Sequence, residues 1–180
     1  CPGINALANH GWLPRSGKNI TLPDIQYAVS EGYNFEPHAL DTVFKMVQDF
    51  NLTTTGDINS FNLEDVKKHD AIEFDGSLSR DDFHFGDALH FNPHIWSTTA
   101  TAMKLHEIGW TPKSRLVTVE LAAKARAARV AEAMQRNPQF NSSIAQQEGT
   151  FGTSALYLLT LWDDKINATH KSWVRSFFGK

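Results

Sequence analysis

The stretch S-R-L-V-T-V-E-L-A-A-K-A-R-A-A-R-V-A-E-A-M-Q-R, residues 114–136, decides the fold class. Alanine, glutamate, lysine and arginine are strong helix formers, and over a window this long their preferences add up to a helix. Asn137-Pro138 stops it, because proline disfavours helical backbone in the residue before it. Towards the C-terminus, Ser143 and Gln146 have capping-box spacing for a long helix to about Trp162, and an amphipathic piece covers Lys171 to Phe178. Towards the N-terminus, Pro93 opens a helix expected to end near Gly109. Asn62 and Asp65 have capping spacing for a short helix before Lys67 and Lys68. Leu40, Val43, Phe44, Val47 and Phe50 mark one face of a helix over residues 36–50. Pro23, after Thr21 and Leu22, suits a helix start, and Gly32 suits its end. Strand-like alternation is nearly absent. The expected fold is all-α, a single domain of seven to nine helices over residues 1–180.

Composition narrows the function. The 180 residues are 41% hydrophobic and 21% charged, enough to bury a core without disulfide staples. Net charge −3 excludes the usual polybasic nucleic-acid binder. No apolar run approaches the roughly 18 residues of a membrane span. The only cysteine is residue 1, which excludes an internal disulfide and a four-cysteine zinc or iron–sulfur site. No signal-peptide pattern is present, and N-x-S/T sequons stand at Asn19, Asn51, Asn141 and Asn167. We expect a secreted, extracellular glycoprotein whose leader has been removed.

Three features carry chemistry. Pro2 fits the first turn of a helix, which puts Cys1 at the N-cap, where free N–H groups and the dipole favour a thiolate. Such a group serves as a nucleophile or an iron ligand; a lone cysteine is also commonly buried and inert. In A-I-E-F-D-G-S-L-S-R, Glu73, Asp75 and Ser77 supply oxygen ligands for a hard cation, or else form a polar turn with an N-cap at Ser77 or Ser79. Glu148 shares a helix face with Ile144, Ala145, Phe151 and Gly152, where a carboxylate is costly unless paired or employed. An exposed first-turn glutamate is the alternative. The eight histidines form no H-E-x-x-H, and no P-loop, G-x-G-x-x-G or G-x-S-x-G is present.

Together, Cys1-Pro2 followed by N-A-L-A-N-H-G-W-L-P-R, E-F-D-G-S-L-S-R at 73–80, G-D-A-L-H-F-N at 86–92 and the helix of Glu148 resemble the fungal heme-thiolate peroxidases. This is the family of chloroperoxidase and the unspecific peroxygenases, and the short peroxygenases are most similar. The resemblance implies helices around a buried heme b with Cys1 as proximal iron ligand. It also implies Mg2+ or Mn2+ beside a heme propionate, held by Glu73, the Phe74 carbonyl and Ser77. Glu148 becomes the distal acid–base. Hydrogen peroxide would be the oxidant, and small apolar or aromatic organic molecules would gain oxygen through a ferryl porphyrin radical, with halide oxidation as a side activity. An apolar wall of Ile144, Ala145 and Phe151 would line the substrate channel. Neither nucleic acid nor a membrane is expected as partner. With Cys1 committed to iron, a disulfide-linked dimer is not expected either.

One position departs from the family. Short members read E-H-D, the histidine bonding to the catalytic glutamate; here that residue is Phe74. Long members use an arginine seven residues before the glutamate, where this chain has Asn141. Gln147 and His84 are the candidates left to orient Glu148. The competing readings are an N-terminal-nucleophile hydrolase using Cys1, disfavoured by Pro2 and the lack of strands, and a non-catalytic secreted helical binding module.

Overall fold

Pro2 opens helix α1 (Pro2–Asn9), as its missing N–H leads one to expect. The computed structural model describes residues 2–107, 109–141 and 144–178. The chain forms two compact units, Cys1–Glu73 and Phe74–Lys180. In the first, strand β1 (Ile20–Thr21) leads into α2 (Leu22–Tyr33). Thr21 caps α2 with a complete capping box: its side chain takes the Asp24 N–H, and the Asp24 carboxylate takes the Thr21 N–H. Gly32 does not end this helix. A Cβ there would come within 2.5 Å of a Leu7 methyl and 3.1 Å of the Trp12 ring, so glycine lets α1 approach α2. The helix stops at Asn34, in the left-handed region at φ 55°.

The helix expected over 36–50 is divided. Pro37–Leu40 form a 3₁₀ turn, and only Asp41–Asp49 form α3. Phe44 and Val47 are buried as the periodicity requires, but Phe50 caps the helix and is 50% exposed. Strand β2 (Ser60–Phe61) pairs antiparallel with β1, Phe61 opposite Ile20. Asn62 does donate its N–H to the buried Asp65 carboxylate at 2.7 Å, yet the element it opens is a single 3₁₀ turn, Asp65–Lys67. Ile4, Leu7, Ile25, Val29, Phe44, Val47 and Phe61 make the core of this unit.

In the second unit α4 (Pro93–Ala102) ends well before Gly109. Lys104 turns left-handed at φ 54°, and the Leu105 N–H bonds back to the Ala100 carbonyl at 2.9 Å, which closes the helix. The alanine-rich helix α5 spans Val119–Arg136, not Ser114 onward. Pro112–Arg115 form a 3₁₀ turn and Leu116–Val117 form strand β3, so tertiary pairing overrides the local preference. Thr118 then caps α5, accepting from the Leu121 N–H. Helix α6 spans Ile144–Thr160; its expected cap, Ser143, lies outside the described residues. Strand β4 (Thr169–His170) pairs antiparallel with β3 and runs into α7 (Lys171–Phe178), the segment read from its amphipathicity. Ala100, Met103, Leu105, Val117, Ala125, Tyr157 and Val174 form this unit's core. The all-α reading holds: among the described residues there are seven α-helices and two antiparallel pairs of two-residue strands. No described helix is long and apolar enough to cross a membrane.

Candidate active site

The loop that opens the second unit, residues 74–83, carries two of the expected site residues and is pinned from several sides. Gly76 has φ 74°, a left-handed conformation that favours glycine. Its N–H donates to Asp82 at 2.9 Å, and its carbonyl accepts from Arg126 of α5. Asp75 accepts the Phe83 N–H at 2.9 Å and the Asn137 amide at 2.8 Å. The buried Thr99 hydroxyl donates to the Leu78 carbonyl, and the Asn92 N–H donates to that of Ser79. The expected helix after Ser77 or Ser79 is absent. Ser77 instead accepts the Ser79 N–H at 3.4 Å, a local turn contact that does not start a helix.

Behind this loop lies a buried charge network that sequence reading did not find. Arg129 donates to Asp82 at 3.0 Å, and neither side chain is exposed at all. Asn137 adds a second amide bond, to Asp82 at 3.2 Å. Arg126 is also buried; loss of solvent, and then the neighbouring Arg129 charge, bring its pKa down to about 10. Burial likewise pushes the Tyr157 hydroxyl up to about 12. Arg126 Nε and the Tyr157 hydroxyl make no hydrogen bond among the described residues. The available signal was the spacing of Ala122, Ala125 and Ala133. Small residues mark the buried side of α5, and Arg126 and Arg129 fall on that same side.

Phe74 reaches helix α6. Its ring lies where a side chain at position 149 would go: a Cβ built on Gly149 would come within 3.0 Å of the ring edge. The position that holds a histidine in short family members is thus next to the residue following Glu148, but it offers no proton partner. His84, the other candidate within this unit, is exposed and packs its ring on Phe85 at 5.0 Å.

The remaining expected residues are not assembled by the described part of the chain. Cys1 lies outside the described residues, as do the side chains of Ile144, Ala145, Gln147 and Glu148, although the α6 backbone through them is described. Phe151 is 65% exposed. Glu73 closes the first unit, its carboxylate 2.9 Å from His69 Nδ1, with both side chains largely buried. Among the described residues no three His, Cys, Asp or Glu side chains converge as metal ligands. A cation here would need the mixed carboxylate, carbonyl and hydroxyl set.

Comparison with known proteins gives the family. The model of "Peroxidase, family 2" matches residues 1–180. An aromatic peroxygenase of Coprinellus radians is 33% identical over 181 residues, covering 92% of this chain and 67% of that protein. The aromatic peroxygenase of Cyclocybe aegerita is 30% identical over 158 residues, covering 78% of this chain and 40% of its own length. A chloroperoxidase of Leptoxyphium fumago is 33% identical over 92 residues, covering 49% of this chain and 24% of its own. The matched region is therefore about two thirds of the first relative and less than half of the other two. With its whole length matched, the chain belongs to peroxidase family 2.

Proposed function

We propose that this chain is a secreted heme-thiolate peroxygenase that uses hydrogen peroxide to insert oxygen into small apolar or aromatic molecules, with halide oxidation as a side activity. The observation that carries the reading is the whole-chain family match, joined to the similarity with two aromatic peroxygenases. The donor set fits a heme. Helix α1 begins at Pro2, the residue after the chain's only cysteine, and Cys1 would supply the thiolate. Arg126 grips the Gly76 carbonyl beside Ser77 and keeps a buried Nε–H without a hydrogen-bond partner among the described residues. A propionate carboxylate takes up a donor of that kind. Glu73, the Phe74 carbonyl and Ser77 would hold Mg2+ or Mn2+.

When bound through thiolate, heme supplies the electron push that favours O–O cleavage. The protein's part is proton handling and exclusion of water. The Glu148 carboxylate takes a proton from one oxygen of hydrogen peroxide and delivers it to the other, which leaves as water. Phe74 against Gly149 fixes α6 by packing alone, so nothing at position 74 shares that proton. Ile144, Ala145 and Phe151 are the residues that would give an apolar wall to a hydrocarbon or aromatic substrate. The exposed asparagines of the four sequons support the secreted reading; Asn19, Asn51 and Asn167 sit in left-handed turns at φ 53°, 49° and 51°.

Isotopically labelled hydrogen peroxide separates this function from simple peroxidation. With an aromatic hydrocarbon as substrate, the hydroxylated product is expected to carry the peroxide label. Products formed only by one-electron coupling, with no label incorporated, would defeat the peroxygenase assignment.

A further inference from the structure

A second site lies in the second unit, among residues that the proposed chemistry does not use. The segment that follows α4, the Pro112–Arg115 turn, the capped start of α5 and the first residue of α7 line an open cavity of about 660 Å³. Lys104, Lys113, Lys124 and Lys171 line it, against two acids, Glu107 and Glu120. Four ammonium groups against two carboxylates leave a local surplus of two positive charges, in a chain whose net charge is −3.

The two acids are already engaged. Glu107 lies 3.8 Å from Lys104 Nζ. The Thr118 hydroxyl, the Glu120 N–H and the charge of Lys124 hold the Glu120 carboxyl below its ordinary range. Lys171 is the least comfortable of the four. It is buried, and its ammonium donates to the Glu107 carbonyl at 2.9 Å. Loss of solvent lowers its pKa first; Glu107 opposes that shift and the nearby Lys104 charge adds to it. An anion in the cavity would relieve both the burial and the like-charge repulsion. The volume falls within the range of small-molecule sites and exceeds what a lone inorganic ion fills.

We propose that this cavity binds a small multivalent organic oxyanion, whose carboxylate or phosphate groups are shared by the lining lysines Lys104, Lys113, Lys124 and Lys171. Neither heme nor Glu148 takes part, so the proposal stands apart from the peroxygenase reading.

Calorimetric titration of the purified protein with citrate and, separately, with inorganic pyrophosphate tests it, at fixed ionic strength set with NaCl. Saturable binding of citrate alone identifies a carboxylate site, of pyrophosphate alone a phosphate site, and of both a site that reads charge. Lys113 and Lys124 are exposed, so the double variant Lys113→Gln/Lys124→Gln should fold with an unchanged Tm. It is expected to bind at least tenfold more weakly, with the visible absorption spectrum unaltered. Two results would overturn the proposal: no saturable heat from either anion, or equal affinity in the double variant.

Discussion

Glu148→Gln should lower turnover with hydrogen peroxide by about 10²- to 10⁴-fold, the span that one positioned acid–base group supplies. Glutamine keeps the size and the hydrogen-bonding ends of the side chain but cannot accept a proton. Heme content and the absorption spectrum of the resting protein should therefore stay as they are. The loss should fall on kcat, because the proton moves in the transition state and not on binding. Stopped-flow mixing with peroxide isolates the step. Full turnover in Glu148→Gln would show that another group moves the proton, and the role assigned to α6 would fail. The missing histidine sharpens the expectation. Phe74 packs on Gly149 and has no proton to share, so no side chain at position 74 stands by to replace the carboxylate.

The second large effect is on stability. Asp82→Ala removes the carboxylate that faces Arg129, leaving a guanidinium that is not exposed at all without its 3.0 Å partner. Breaking one side of a buried pair costs about 3–5 kcal/mol. In a chain of this size that is a fall in Tm of roughly 6–20 °C. The Gly76 N–H would lose its acceptor and the Asn137 amide would keep only Asp75, so the loop from Phe74 to Phe83 should loosen. Replacing both partners with apolar residues, Asp82→Leu/Arg129→Met, should recover part of the loss, because the Arg129 charge goes with its partner while buried Arg126 still loses the nearby Asp82 charge. Thermal denaturation of the three proteins decides it. A drop of under 1 kcal/mol in Asp82→Ala would mean that the pair does not hold this loop.

How much could be read in the sequence depended on how far apart the interacting residues lie. Local signals translated well. Pro23 after Thr21 and Leu22 gave the start of α2, and the amphipathic spacing from Lys171 to Phe178 gave α7 to the residue. The stretch at residues 73–80 stood out because Glu73, Asp75 and Ser77 lie within five residues of one another. The network behind it was not, since Asp82 meets Arg129 from 47 positions away and Asp75 meets Asn137 from 62. One sequence holds no record of such pairs, and two arginines in an alanine-rich helix look like solvated helix formers. Gly32 shows a different limit. A glycine that ends a helix and a glycine that admits a neighbouring helix look alike until the Leu7 methyl and the Trp12 ring are in place. Strand β3 was hidden inside a helix-forming stretch, because its pairing with Thr169–His170 comes from far down the chain.

The central claim is that Cys1 is the thiolate ligand of a heme, and the absorption spectrum of the reduced carbon monoxide complex tests it most directly. Thiolate ligation is expected to give that complex the strongly red-shifted Soret band which a nitrogen or oxygen ligand does not produce. Cys1→Ala should lose the band, either by losing heme or by binding it through another ligand at shorter wavelength. A colourless purified protein, or a red-shifted band that survives in Cys1→Ala, would contradict the account.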